Sequence, residues 1–134
     1  MLTTERISEQ FSNISSDNLP NLLKEFKDDI NYTVTGTASP FSGTYTSQGE
    51  VLEKVYKPIL ACFSEGMTGK VRNVFVSGDY AILEITAEAK QKNGELFRQE
   101  MCWVCRYEGD KIAELRYYAD TAATEKLLKE NAGK

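Results

Sequence analysis

Three turn signals divide the second half of the chain into four runs with the composition of β-strands. Gly78-Asp79, Asn93-Gly94 and Gly109-Asp110 interrupt segments that are rich in β-branched and aromatic residues. The segments cover residues 71–77, 80–90, 95–107 and 111–120. Because short turns of this kind join neighbouring antiparallel strands, this half of the chain is predicted to form an antiparallel meander.

The first half of the chain is predicted to be mainly helical. Helices are expected over residues 3–12 and 18–26, and a third begins at the capping box Ser47-Gln-Gly-Glu50. Pro58 is expected to kink this third helix. A strand over residues 30–36 and a Gly/Ser/Pro-rich loop separate the second helix from the third, and a final helix or tail follows residue 120.

Length and charge limit the classes of partner. The 134 residues predict one domain, 1–134, with a core over about 3–121 and a C-terminal helix or tail over 122–134. The net charge of −4, without a basic stripe, argues against nucleic acid and anionic membrane as partners. The chain has no apolar run of about 18 residues and no signal-peptide pattern at Met1, so a cytoplasmic protein is expected.

The chain contains no histidine, and this restricts its possible chemistry. Catalytic triads based on histidine and His-ligated zinc are excluded, so acid–base chemistry would need Asp, Glu, Tyr, Lys or Cys. The carboxylates are scattered and no phosphate loop or dinucleotide fingerprint is present, so no metal and no cofactor are predicted. The cysteines, Cys62, Cys102 and Cys105, are odd in number and are expected to be free, buried thiols.

The strand register predicts where the polar groups lie. If every turn has two residues, Trp103 lies opposite both Glu84 and Arg116, and Met101 lies opposite Tyr118. One face of the sheet then carries Asn73, Phe75, Ile82, Glu84, Thr86, Met101, Trp103, Arg116, Tyr118 and Asp120. This mixture of apolar and polar groups predicts a pocket with apolar walls and a few convergent polar side chains.

The same pattern has a second interpretation. Glu84 or Glu114 could form a half-buried ion pair with Arg116, while Asp120 caps the terminal helix. The opposite face, which would carry Leu83 and Ile85, is the more apolar one and is expected to be covered by helices or by a second subunit.

Four segments of the chain form a familiar pattern: Tyr32-Thr-Val-Thr-Gly36, Ser39-Pro-Phe-Ser-Gly43-Thr-Tyr45, Glu100-Met-Cys-Trp103-Val and Leu115-Arg-Tyr-Tyr-Ala-Asp120-Thr121. Together they resemble the nuclear transport factor 2-like superfamily, and more narrowly its SnoaL-like, ketosteroid-isomerase-related proteins. The resemblance implies a cone-shaped α+β, cystatin-like fold, in which a curved mixed or antiparallel sheet wraps around the N-terminal helices. It also implies a ligand pocket between sheet and helices and a homodimer formed through the outer face of the sheet.

The resemblance leaves the reaction open, since the fold serves many functions. Asp120 aligns with a late-strand carboxylate that some enzymes of the superfamily use as acid or base. Where epoxide hydrolases of the superfamily have Arg-x-Asp, this chain has Glu84-Ile85-Thr86, which argues against epoxide hydrolysis.

Three functions therefore stay open. The first is an acid–base isomerase, cyclase or lyase acting on a small apolar carbonyl compound, with Asp120 or Glu84 as base and Tyr118 or Tyr32 as hydrogen-bond donor. The second is a dimeric module that binds a small apolar molecule without converting it. The third is a structural or regulatory dimer. The predicted ligand-binding residues are Tyr32, Asn73, Phe75, Thr86, Met101, Trp103 and Arg116.

Overall fold

The computed structural model describes residues 2–37 and 40–131, and these form one mixed sheet with helices packed against one face. Ser39 of the loop motif and residues 132–134 of the predicted tail lie outside the described residues. The helices are α1 (Thr4–Gln10), α2 (Leu19–Leu23), α3 (Gln48–Val51), α4 (Lys57–Leu60) and α5 (Thr121–Asn131). The strands are β1 (Ile14–Ser15), β2 (Phe26–Val34), β3 (Gly43–Tyr45), β4 (Phe63–Ser77), β5 (Tyr80–Gln91), β6 (Leu96–Glu108) and β7 (Lys111–Tyr118).

The order of strands in the sheet is β1-β4-β5-β6-β7-β2-β3. The predicted meander from β4 to β7 is confirmed, and each of its pairs is antiparallel. β2 joins β7 in parallel, which makes the sheet mixed. The short edge strands β1 and β3 were not predicted, because two or three residues carry too little periodicity to be recognised.

The turn between β5 and β6 has three residues, and the predicted two-residue turn is wrong. The Gln91 amide donates to the Glu95 carbonyl at 2.8 Å, and the Gly94 amide donates to the Gln91 carbonyl at 2.9 Å. Gly94 has a φ of +91°, the left-handed conformation that such a loop needs and glycine adopts without strain. Trp103 therefore lies opposite Leu83, and the predicted pairing with Glu84 is wrong.

A bulge shifts the next pair of strands as well. The two-residue turn at Gly109-Asp110 keeps the predicted pairing of Glu108 with Lys111, but the register changes between Arg106 and Tyr107. Beyond this point Trp103 pairs with Tyr117, while Tyr118 pairs with Cys102. The predicted pairing of Trp103 with Arg116 is thus wrong, and so is that of Met101 with Tyr118. The predicted pairing of Asn73 with Glu84 is confirmed.

The two faces of the sheet consequently differ from the prediction. The inner face, which packs on the helices, carries the buried residues Tyr32, Leu83, Ile85, Ala87, Met101, Trp103, Cys105 and Leu115. The outer face carries Asn73, Phe75, Ile82, Glu84, Thr86, Cys102, Val104, Arg116 and Tyr118. The face with Leu83 and Ile85, expected to be covered by helices or by a second subunit, is covered by the helices. The shift of one residue places Met101 and Trp103 of β6 on this face instead of Cys102 and Val104.

The capping box at the third helix is confirmed, except that the glutamate accepts from Thr46 and not from the Ser47 amide. Ser47 Oγ accepts from the Glu50 amide at 3.1 Å, while Glu50 Oε1 accepts from the amide and hydroxyl of Thr46 at 3.1 and 2.9 Å. The helix continues from α3 through a π-type turn, Leu52–Tyr56, into α4. This turn lies just before Pro58, whose missing amide interrupts α-helical bonding. Val51 and Val55 anchor the helix in the core.

No helix among the described residues combines the length and the apolar character needed to cross a membrane.

The Glu50 cap predicts a pH-dependent contribution to stability. Hydrogen bonds from the Thr46 amide, the Lys54 ammonium and the Thr46 hydroxyl lower the pKa of Glu50 from 4.5 to about 2. The stabilisation is therefore fully present above pH 4.5 and is lost as the pH falls to about 2. We expect Glu50→Gln to lower the free energy of unfolding at pH 7 and to match the parent protein near pH 2.

Urea unfolding at several pH values measures this difference, and Glu53→Gln provides the matched control. Glu53 forms only an exposed i,i+4 ion pair with Lys57, and such a pair contributes little. The cap assignment would be contradicted if the free energies of unfolding of Glu50→Gln and the parent differed by the same amount from neutral to acidic pH.

Candidate ligand cavity

A cavity of about 90 Å³ lies between the inner face of the sheet and the helices. Its wall is formed by Phe11, which follows α1, and by residues of α2, the helix that runs through α4, and α5 on one side, and by residues of β1, β2 and β4 to β7 on the other. One water needs about 10–15 Å³ of such space, so the cavity has room for a small organic molecule. The lining is almost wholly apolar, and no Asp, Glu, Lys or Arg of the described segments contributes to it.

Strand β6 supplies one continuous side of the cavity. Phe97, Gln99, Met101 and Trp103 all line it, because alternate residues of a strand share one face. Gln99 is the polar member of this row. The remaining inward residues of β6, Cys105 and Tyr107, continue the row into the packed core.

An aromatic group encloses the cavity around Trp103. The ring of Phe11, the residue after α1, meets the indole edge-on, with centroids 5.7 Å apart and an interplanar angle of 84°. Tyr117, the cross-strand partner of Trp103, has its ring centroid 6.5 Å from that of the indole. These rings make large apolar contacts and hold the indole in one orientation.

Two buried donors in the wall have no hydrogen-bond partner within the described part of the chain: Gln99 Nε2 and Trp103 Nε1. Both side chains are nine-tenths buried or more, with 6% exposure each. Leaving such a group unpaired costs about 1–3 kcal/mol, and native proteins rarely keep one without a reason.

The titratable groups in the wall are tyrosines. Burial raises the pKa of both Tyr56 and Tyr117 far above the usual value for a phenol. The Tyr56 hydroxyl also lies 3.1 Å from the Tyr32 hydroxyl, which is itself fully buried behind it. These phenols are therefore neutral around pH 7 and can exchange hydrogen bonds with a ligand, but they do not serve as bases there.

Asp120 lies outside the cavity wall, at the exposed start of α5. Its Oδ1 accepts from the Ala123 amide at 3.1 Å, and its carbonyl accepts from the Thr124 amide at 3.1 Å. This is the geometry of an N-cap. The second sequence interpretation, a helix-capping aspartate, is confirmed, and the predicted placement of Asp120 beside Trp103 and Met101 is wrong.

Glu84 and Tyr118, the other predicted catalytic residues, lie on the outer face. Asn73 Nδ2 donates to Glu84 Oε1 at 3.0 Å, and Tyr118 is 44% exposed. Arg116, predicted to bind a ligand, instead donates to Glu114 at 2.7 Å, which confirms the predicted ion pair between these two residues.

The other predicted ligand-binding residues divide between the two faces. Met101 and Trp103 line the cavity. Tyr32 is in the core and supports Tyr56. Phe75 and Thr86 lie on the outer face, where Phe75 is 55% exposed and Thr86 is buried.

Sequence reasoning missed Phe11, Tyr56, Gln99 and Tyr117 as wall residues. One signal was available for Gln99: it is the single amide in the alternating row that runs from Phe97 to Tyr107. Across residues 2–37 and 40–131, no group of three Cys, Asp or Glu side chains is arranged to hold a metal ion.

Comparison with known proteins identifies the fold. No family model and no curated protein matches the chain. Among solved structures, it is similar to an NTF2-like protein from Burkholderia thailandensis, with a TM-score of 0.75, 20% identity, and coverage of 96% of this chain and 98% of that one. A protein from Catenulispora acidiphila with a ketosteroid isomerase-like fold, in complex with trimethylamine, has a TM-score of 0.70 and 17% identity over 92% and 91% of the chains.

A third similar structure is TerC co-crystallised with polyporic acid, with a TM-score of 0.70, 15% identity, and coverage of 94% and 93%. The resemblance seen in the sequence is thus confirmed at the level of fold: the chain has the mixed α+β, nuclear transport factor 2-like fold.

The N-cap assignment of Asp120 predicts how its variants behave. Asp120→Ala should lower the free energy of unfolding by about 1 kcal/mol, because the Ala123 amide loses its acceptor. Asp120→Asn should retain most of the stability, since asparagine caps helices about as well as aspartate. Chemical unfolding of the two variants measures the contrast, and equal losses in both would contradict the capping role.

Proposed function

We propose that this protein binds a small, neutral, largely apolar organic molecule in its cavity without converting it. The observation that carries the proposal is the composition of the wall, to which no ionisable carboxylate, ammonium or guanidinium of the described residues contributes. A charged ligand would lose its hydration there without gaining a counter-charge. A neutral molecule pays no such penalty and gains from burial of its apolar surface.

The same observation disfavours the acid–base alternative, an isomerase, cyclase or lyase. General acid–base catalysis needs a group within hydrogen-bond reach of the substrate and with a pKa near the working pH. Asp120, Glu84 and Tyr118 lie outside the wall, and the tyrosines within it have strongly raised pKa values. Binding without turnover therefore accounts better for the site.

Two of the similar structures support a small-molecule role for this fold. The Catenulispora protein is described in complex with trimethylamine, and TerC was co-crystallised with polyporic acid. That the protein acts in the cytoplasm and without a cofactor stays a prediction from the sequence.

We also propose that the outer face forms a homodimer. The dimer predicted from the sequence relied on the apolar face with Leu83 and Ile85, which is the core, so the proposed interface uses other residues. Phe75 and Ile82 are cross-strand neighbours there and are 55% and 37% exposed. Ile82 is also the cross-strand neighbour of Val104 on β6. Tyr118 adds a further exposed aromatic ring, 44% exposed, on β7. A contiguous apolar patch of this kind fits a self-complementary twofold interface, rimmed here by Glu84 and Arg116.

Filling the cavity should weaken binding. Ala87 lines the cavity and is 1% exposed, so Ala87→Leu places three additional carbon atoms in the ligand space. We expect its affinity for 4-ethylacetophenone, measured by isothermal titration calorimetry, to fall about tenfold or more, equivalent to about 1.4 kcal/mol or more. Thr86→Val is the matched control, because Thr86 is the adjacent residue on the outer face, and its affinity should be unchanged. Equal affinities in all three proteins would place the ligand elsewhere.

Charge in the outer patch should separate the subunits. Ile82→Glu introduces a carboxylate that would be buried against its symmetry mate, so the variant should sediment as a monomer while the parent sediments as a dimer. Lys90→Glu, at another exposed position on β5 but away from the patch, serves as the control and should remain dimeric. A monomeric parent protein at micromolar concentration would refute the interface.

A further inference from the structure

We propose that the cavity accepts a molecule with a single ring and short substituents and excludes larger fused-ring molecules, and that Trp103 sets this limit. The inference rests on the proposed binding function and names the class of molecule that is bound, a monocyclic and largely apolar compound. It assigns Trp103 as a specificity-determining residue.

The volume of the cavity limits the size of the molecule. At about 10–15 Å³ for each water, the cavity of about 90 Å³ has room for about six to nine waters. Each water takes about 30 Å³ in the liquid, so a molecule that replaces them has a volume of about 180–270 Å³. A benzene ring with two short substituents is of this size, whereas three or four fused rings are larger.

Contacts between aromatic rings brace the wall against expansion. Six aromatic side chains of the wall pack against another ring, with centroids 5.6–6.5 Å apart. A larger ligand would have to separate some of these pairs, and the contacts between them would be lost. The six side chains are Phe11, Phe26, Tyr56, Phe97, Trp103 and Tyr117.

Trp103 closes the cavity at one end of the β6 row. The row of wall residues on this strand begins at Phe97 and ends at Trp103, and the next inward residues, Cys105 and Tyr107, are buried in the packed core. The indole reaches from the sheet to Phe11 on the helical side, where the two rings are in edge-on contact at 5.7 Å between centroids. A ligand therefore ends at this pair of rings.

The indole can be shortened without breaking a hydrogen bond. Trp103 Nε1 has no partner within residues 2–37 and 40–131, so a smaller apolar side chain at this position leaves no polar group newly unpaired. Trp103→Leu keeps an apolar wall and replaces its bulkiest side chain by a smaller one. Phe11→Leu shortens the other ring of the pair and provides a second variant with the same expected effect.

Three neutral ketones of increasing size test the limit by equilibrium dialysis: 4-ethylacetophenone, 2-acetylphenanthrene and progesterone, with one, three and four rings. In an open site the larger compounds would bind more tightly, because they bury more apolar surface. We expect the opposite order in the parent protein, with 4-ethylacetophenone bound about tenfold or more tightly than either larger ketone.

The variants test the role of Trp103. Trp103→Leu and Phe11→Leu should each reduce the preference for 4-ethylacetophenone over 2-acetylphenanthrene by about tenfold. Phe75→Leu is the matched control, because it shortens an aromatic side chain on the outer face, and it should keep the preference of the parent protein.

The outcomes separate the two proposals. If progesterone binds the parent protein as tightly as 4-ethylacetophenone, the size limit is overturned while the binding function stands. If the parent preference is unchanged in both Trp103→Leu and Phe11→Leu, the assignment of Trp103 is overturned. If none of the three ketones binds, the binding function itself fails. The comparison in the parent protein decides the size limit even where a variant does not fold.

Discussion

The closure of the β5–β6 hairpin is the constraint on which the rest of the structure depends. Three residues, ending at Gly94, connect the strands, and the left-handed φ of this glycine fixes the pairing that follows. The pairing turns Trp103 and Gln99 inward, onto the wall of the cavity, and leaves Glu84 and Cys102 outside. With one residue fewer in the turn, the inner wall of β6 would carry Cys102 and Val104, and the indole would face away from the helices.

This dependence explains how much could be predicted from the sequence. Local sequence patterns predict the meander, the third helix and its Ser47 cap, and each is confirmed. Predicting which residues line the site depends on the register of the strands, because side chains along a strand point to alternate faces of the sheet. One extra turn residue is therefore enough to separate Trp103 from Glu84, and one bulge near Arg106 is enough to separate Met101 and Trp103 from Arg116 and Tyr118.

In the observed register, the ionisable side chains that were predicted to act in catalysis or binding have structural roles. Asp120 caps α5, Glu84 accepts from Asn73, and Arg116 pairs with Glu114. These are structural roles at or near the surface. The interior wall keeps aromatic rings, aliphatic side chains and a few neutral polar groups, among which Gln99 and Trp103 lack partners. The combination favours recognition of a neutral molecule over proton transfer.

The central claim is that the cavity beside Trp103 receives a neutral organic molecule. The chain has one tryptophan, so a ¹H–¹⁵N spectrum contains a single indole resonance that reports on the cavity wall. Titration with 1,4-diethylbenzene should move this resonance saturably, and titration with the anion 4-ethylbenzoate should leave it in place. An indole resonance that shifts with the benzoate and not with the neutral compound would contradict the account.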